Sequence, residues 1–215
     1  MLMSVRYRPV TGPSDVQRVV LVSGPDGDTR RAVAAAFDQA GDVVVTSDES
    51  EAGSVDALVS GIIDDHDRLD IVVTLSAPAA EDADATVRGS LLAPVIVSTR
   101  ANLEMRRAGS GVIIHVIDAR RDGESAAVSA ARAGLLSFTQ SLAIEWGPAV
   151  RLASVVHDTD AARAVGTIPV GRAGTSSDVA EACRWLASGA ASFLSGTAIT
   201  LNGGGVLPVA LDALD

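Results

Sequence analysis

Short runs of valine and isoleucine, spaced by segments long enough for helices, constrain this chain more than any other feature. Six such runs recur: Arg18–Ser23 (RVVLVS), Asp42–Thr46 (DVVVT), Asp70–Leu75 (DIVVTL), Gly111–Ile117 (GVIIHVI), Val150–Val156 and Thr197–Leu201. Apolar runs without a polar alternate face fit strands buried on both sides, and parallel strands need helical crossovers to bring the chain back. The intervening stretches supply those crossovers. Thr29–Ala40, Val55–His66, a long segment near Asp84–Arg107, Ser125–Trp146 and Ser177–Ala187 are expected as helices. The pattern predicts a single doubly wound α/β domain over residues 18–215, with a parallel sheet covered on both faces. Residues 1–17, with Pro9, Gly12 and Pro13, are expected to form a flexible arm.

Charge and composition narrow the function. The formal net charge is −10 over 215 residues, so phosphate backbones and anionic headgroups are repelled, and neither nucleic acid nor a membrane is expected as a partner. The longest apolar stretches, such as Leu91–Val97, are too short to span a bilayer. A single Cys183 rules out an internal disulfide, and Met1–Pro13 lacks the apolar core of a secretory signal, so a cytoplasmic location is expected. All 17 basic residues are arginine and the one tyrosine is Tyr7. The body of the domain therefore has no lysine amine and no phenol for chemistry. His66, His115, His157 and Cys183 show no metal-ligand spacing.

The segment Ser125–Trp146 lacks the polar outer stripe of a helix that covers one face of a sheet. Val128, Leu135, Leu136, Phe138, Leu142 and Ile144 point in several directions around its axis. Ala130, Ala131 and Gly134 would let another helix approach. A second subunit is the expected cover, with Leu135, Phe138, Leu142 and Trp146 as interface residues.

Several motifs resemble the short-chain dehydrogenases/reductases. Ile168-Pro-Val-Gly-Arg-Ala-Gly-Thr175, Asp178-Val-Ala180, Trp185-Leu-Ala-Ser188, Ser195-Gly196 and Leu201-Asn-Gly-Gly204 follow that family's closing pattern in order and spacing. Gly111-Val-Ile-Ile, Ser141-Leu-Ala-Ile-Glu145 and Arg151-Leu-Ala-Ser-Val-Val156 fit earlier elements, so the likeness runs from Arg18 to Val206. It implies a Rossmann-like fold. The family's extra helix and strand between Thr46 and Val55 are missing, which leaves six strands. The connection from Val156 to Ile168 is too short for the family's substrate loop.

The functional positions depart from that pattern. The resemblance implies an active site of Tyr-x-x-x-Lys, a serine and an asparagine. Aligned on Ala133-Gly-Leu-Leu136, these positions hold Val128, Arg132, Asp118 and Ser90. Valine has no proton to give, and arginine stays protonated at any working pH. The family's Gly-x-x-x-Gly-x-Gly turn binds pyrophosphate through backbone amides and a helix N-terminus. Here it reads Ser23-Gly-Pro-Asp-Gly-Asp28, with Gly24 in place, Gly27 one residue early, and Asp28 and Arg30 at the later glycine positions. Asp28 is expected to cap the helix and occupy the amides that phosphate would use, while Arg30 and Arg31 are the groups that could compensate. Asp118 and Arg132 are expected to neutralise each other, and His115 to be a satisfied core residue.

These departures imply a catalytically silent subunit that binds no cofactor itself. It would join a complete family member in a hetero-oligomer, with a heterotetramer expected, and the partner would supply NAD(P) and the catalytic residues. In this it resembles the paired short-chain reductases of bacterial secondary metabolism that act on carrier-tethered β-hydroxy or β-keto acyl groups, as in aminocoumarin antibiotic pathways. The last strand and Val206–Leu211 would add to the contact. Two alternatives stand beside it: an atypical NAD(P)H oxidoreductase using His157 or Asp118, and a ligand-sensing or scaffold protein that reuses the cleft.

Overall fold

A computed structural model describes residues 17–119, 125–158 and 168–204. The expected arm before Gln17, most of the short connection after Val156, and Val206–Leu211 lie outside the described residues. The strands are β1 (Val19–Ser23), β2 (Val43–Ser47), β3 (Ile71–Leu75), β4 (Gly111–Asp118), β5 (Val150–His157) and β6 (Thr197–Leu201). They form one parallel six-stranded sheet in the order β2-β1-β3-β4-β5-β6. The doubly wound α/β fold and its six strands are as the sequence led us to expect, with β2 and β6 at the edges.

Alternate residues of the central strands feed two cores. Val20, Val22, Ile71, Val73 and Ile114 pack with Phe37 of α1 (Asp28–Gln39) and with Cys183 and Leu186 of α6 (Ser176–Leu186). Val19, Leu21, Val72, Ile113 and Leu152 face the opposite way, against α2 (Ala52–His66), α4 (Ala93–Ala108) and α5 (Ala126–Trp146). β1, β3 and β5 are buried along their whole length, which is why they read as unbroken apolar runs.

The long helix expected near Asp84–Arg107 is interrupted. A short α3 (Ala83–Val87) runs into a π-helical turn at Arg88–Leu92 before α4 begins. Pro94 has no amide hydrogen, so the carbonyl of Ser90 loses its usual helical donor and receives the Ser76 hydroxyl at 3.4 Å. The motif Gly171–Thr175 ends in a helix cap. Thr175 accepts from the Asp178 amide, the Asp178 carboxylate accepts from the Thr175 amide, and Arg172 clasps that carboxylate at 2.6 and 2.7 Å. Those hydrogen bonds from Arg172 hold the Asp178 carboxyl well below the usual range.

Candidate functional site

The strand order reverses between β1 and β3, and in open α/β sheets the crevice at such a switch point is where ligands bind. A cleft of about 350 Å³ lies there, lined by Pro25–Arg30 on one side and by Leu75, Ser76 and Pro78 on the other. Val116, Asp118, His157 and Ser176 complete its walls.

The β1–α1 turn forms one wall. Gly24 adopts φ +141°, and a Cβ there would lie 2.7 Å from the Leu75 carbonyl oxygen, so only glycine lets the turn pass this close to β3. Gly27 is the N-cap of α1 and has extended backbone. Asp28 is the first helical residue and does not cap the helix. Its carboxylate pairs with Arg31 at 2.9 Å. The sequence expectation for Asp28 is thus corrected.

Arg30 and Arg31 are committed within the same turn. Arg30 donates to the Gly24 carbonyl at 2.9 Å and pairs with Asp26 at 3.0 Å. Arg31 pairs with Asp26 at 2.9 Å. Burial nudges the Asp26 carboxyl up, but the Arg30 hydrogen bond and the charges of Arg31 and Arg30 outweigh it and hold the group below its ordinary value. Asp26 was missed as a site residue, although its spacing of four from Arg30 was a readable signal.

The remaining positions divide between the cleft and the core. Asp118 ends β4 in register with His157 on β5, and both line the cleft. Asp118 and Arg132 do meet, through the main chain: the guanidinium donates to the Asp118 carbonyl at 3.1 and 2.7 Å. Ser90 is buried in the π turn, where its hydroxyl donates to the Ala77 carbonyl at 2.9 Å. Val128 sits in the first turn of α5, its amide donating to the Ser125 cap. Ser90, Val128 and Arg132 are not among the lining residues. His115 is a satisfied core residue, as expected, fully buried between the hydroxyls of Ser98 at 2.9 Å and Thr139 at 2.7 Å. Burial pushes its pKa down to about 3. Burial likewise pushes the Cys183 thiol up to about 12, which leaves it unreactive. Among the described residues no three His, Cys, Asp or Glu side chains group as metal ligands, and no helix is long and apolar enough to cross a membrane.

The expected interface residues point inward. Leu135 and Trp146 are buried, and Phe138 and Leu142 pack against the same cores. Phe138 meets Trp146 edge-on at 6.1 Å. The space over Gly134 is filled by Leu91 of this same chain, 3.1 Å from where a Cβ would stand. The face that α5 turns outward carries Ala126, Ala130, Ala133, Ser137, Ser141 and Ile144, the last 85% exposed.

Comparison with known proteins agrees with this geometry. The family model described as enoyl-(acyl carrier protein) reductase matches residues 17–205. The chain is 33% identical over 174 residues to a hydroxy(phenyl)methylsuccinyl-CoA dehydrogenase subunit, BbsC, of Thauera aromatica, covering 72% of this chain and 70% of that protein. It is 29% identical over 182 residues to the 3-oxoacyl-(acyl-carrier-protein) reductase FabG of Chlamydia pneumoniae, covering 73% of each. In fold it resembles a hydroxysteroid dehydrogenase from Escherichia coli, with a TM-score of 0.78 at 19% identity over 89% of this chain and 97% of the other. The chain belongs to the short-chain dehydrogenase/reductase family of oxidoreductases.

Proposed function

We propose that this chain is a non-catalytic subunit of a heteromeric reductase or dehydrogenase, paired with a complete homologue that supplies the catalytic residues and NAD(P). One observation carries the reading. The family's proton-donating pair is replaced by Val128 and Arg132, in a chain with no lysine and with its one tyrosine at position 7. Asp118 and Ser90 replace the remaining two positions, and Ser90 is committed to the Ala77 carbonyl.

The residues of the turn fit a dinucleotide poorly. Two carboxylates, Asp26 and Asp28, stand where phosphate would bind, and both nearby guanidiniums are already engaged. The names of the relatives support a β-hydroxy or β-keto acyl substrate carried on coenzyme A or a carrier protein, and one of those relatives is itself named as a subunit. The outer stripe of α5 at Ala130, Ala133, Ser137 and Ile144 is the surface proposed to meet the partner, in a heterotetramer. Co-expression with a complete homologue from a neighbouring reading frame should give a stable complex with higher activity than the homologue alone. Failure of every such neighbour to co-elute or to change in activity would falsify this reading.

A second reading, an oxidoreductase with substitute chemistry, draws on Asp118 and His157 lying side by side in the cleft. It requires saturable binding of NADH or NADPH by the isolated chain, which a fluorescence titration reads directly.

A further inference from the structure

We propose that the β1–α1 turn is locked by its own side chains, with the Arg30 guanidinium held between the Gly24 carbonyl and the Asp26 carboxylate where a diphosphate would otherwise bind. The proposal rests on the reading that this chain holds no dinucleotide itself, and it supplies the cause. A helix N-terminus with free amides attracts anions through its partial positive charge. At α1 that attraction meets two fixed anions first. Asp28 is the first helical residue, and Asp26 is two residues before it.

Charge is the barrier here, and space is not. A Cβ built on Gly27 would meet no atom within 4 Å, so the mouth of the turn is open. The four charges at the turn, Asp26, Asp28, Arg30 and Arg31, cancel. Arg31 bridges Asp26 and Asp28 at 2.9 Å each, and Arg30 bridges Asp26 and Gly24. An incoming phosphate has to displace a carboxylate from these guanidiniums and then lie beside it. The Asp26 and Asp28 side chains are 60% and 90% exposed, so solvent screens each of them. Each therefore weakens anion binding by a few-fold, and the two together by on the order of tenfold. The backbone path of the turn cannot shift to compensate, since Gly24 lies against Leu75.

Isothermal titration of the purified full chain with inorganic pyrophosphate, and separately with NADH, tests the lock. The unmodified chain should show no saturation with either at about 1 mM ligand. The double variant Asp26→Asn/Asp28→Asn frees both guanidiniums and should bind pyrophosphate on the order of tenfold more tightly. Adding Arg30→Met should reduce that gain. A folded double variant that gains nothing overturns the lock, as does an unmodified chain that already binds as tightly as the variant. Should the double variant fail to fold, Asp28→Asn alone alters an exposed side chain and carries the same test, with a gain of about threefold. A gain with pyrophosphate but not with NADH supports the lock and assigns the missing dinucleotide affinity to the part of the site beyond the turn. Partner pairing is read separately by co-elution, so the two readings can fail independently.

Discussion

His115 shows how the protons of a buried polar cluster sort themselves. Thr139 donates its one hydroxyl proton to the Leu135 carbonyl at 2.9 Å. It must therefore accept from His115 Nδ1 and from Ser154, and His115 Nε2 accepts from Ser98. The imidazole is neutral, and a second proton would put a charge in the core. With its pKa about 3 when folded and near 6.5 when unfolded, the unfolded chain binds the extra proton first. The stabilisation is complete above roughly pH 6.5 and is lost as the pH falls towards 3, up to roughly 5 kcal/mol in all. Urea midpoints measured from about pH 7 to pH 4 should fall less steeply for His115→Asn than for the unmodified chain; equal slopes would reject this assignment. Gly24→Ala combines a left-handed φ with a clash against the Leu75 carbonyl and should cost about 2 to 4 kcal/mol in thermal unfolding. Arg151, 6% exposed, donates to the carbonyls of Leu186, Ala191 and Leu194 at 3.0 to 3.1 Å. Arg151→Met strands those acceptors and should cost about 3 kcal/mol, read as a lower urea midpoint.

Among the elements, α5 carries the clearest lesson about faces. Its apolar residues were visible in the sequence, but their direction was not. Leu135 and Trp146 turned out to be core, while the small residues Ala130, Ala133 and Ser137 form the outer stripe. Periodicity reports that a side chain is apolar; it does not say whether its own sheet or another molecule covers it. Ser137→Glu together with Ala133→Arg puts charge on that outer stripe. Together they should abolish co-elution with the partner while leaving the melting temperature within about 2 °C, because exposed changes cost little. A complex that survives both changes would move the contact off α5. Helix α6 was legible for the opposite reason: its cap is local, within Thr175–Asp178. Thr175→Ala should cost about 1 kcal/mol, seen as a lower melting temperature.

At the scale of the whole molecule, the fold forms a crevice with charged side chains in its lining. The strand order places the ends of β1, β3, β4 and β5 around one cleft, and Asp26, Asp28, Asp118 and His157 occupy it. On the proposed reading, Val128→Tyr, Arg132→Lys and Asp118→Ser together should not produce NADPH oxidation with a 3-oxoacyl thioester, because the turn still holds its carboxylates. Measurable turnover by that triple variant would mean that the turn admits cofactor after all. The sequence by itself determined the alternation of strands and helices, the strand count and the absence of lysine from the chain. Those features are carried by runs of neighbouring residues and by residue identity. Only the tertiary structure decided that Arg30 folds back onto Gly24 and Asp26, that Asp118 meets Arg132 through its carbonyl, and that Leu91 fills the space over Gly134. Each of these depends on where a flexible side chain finds a partner once the backbone is in place, and one-dimensional patterning does not encode that.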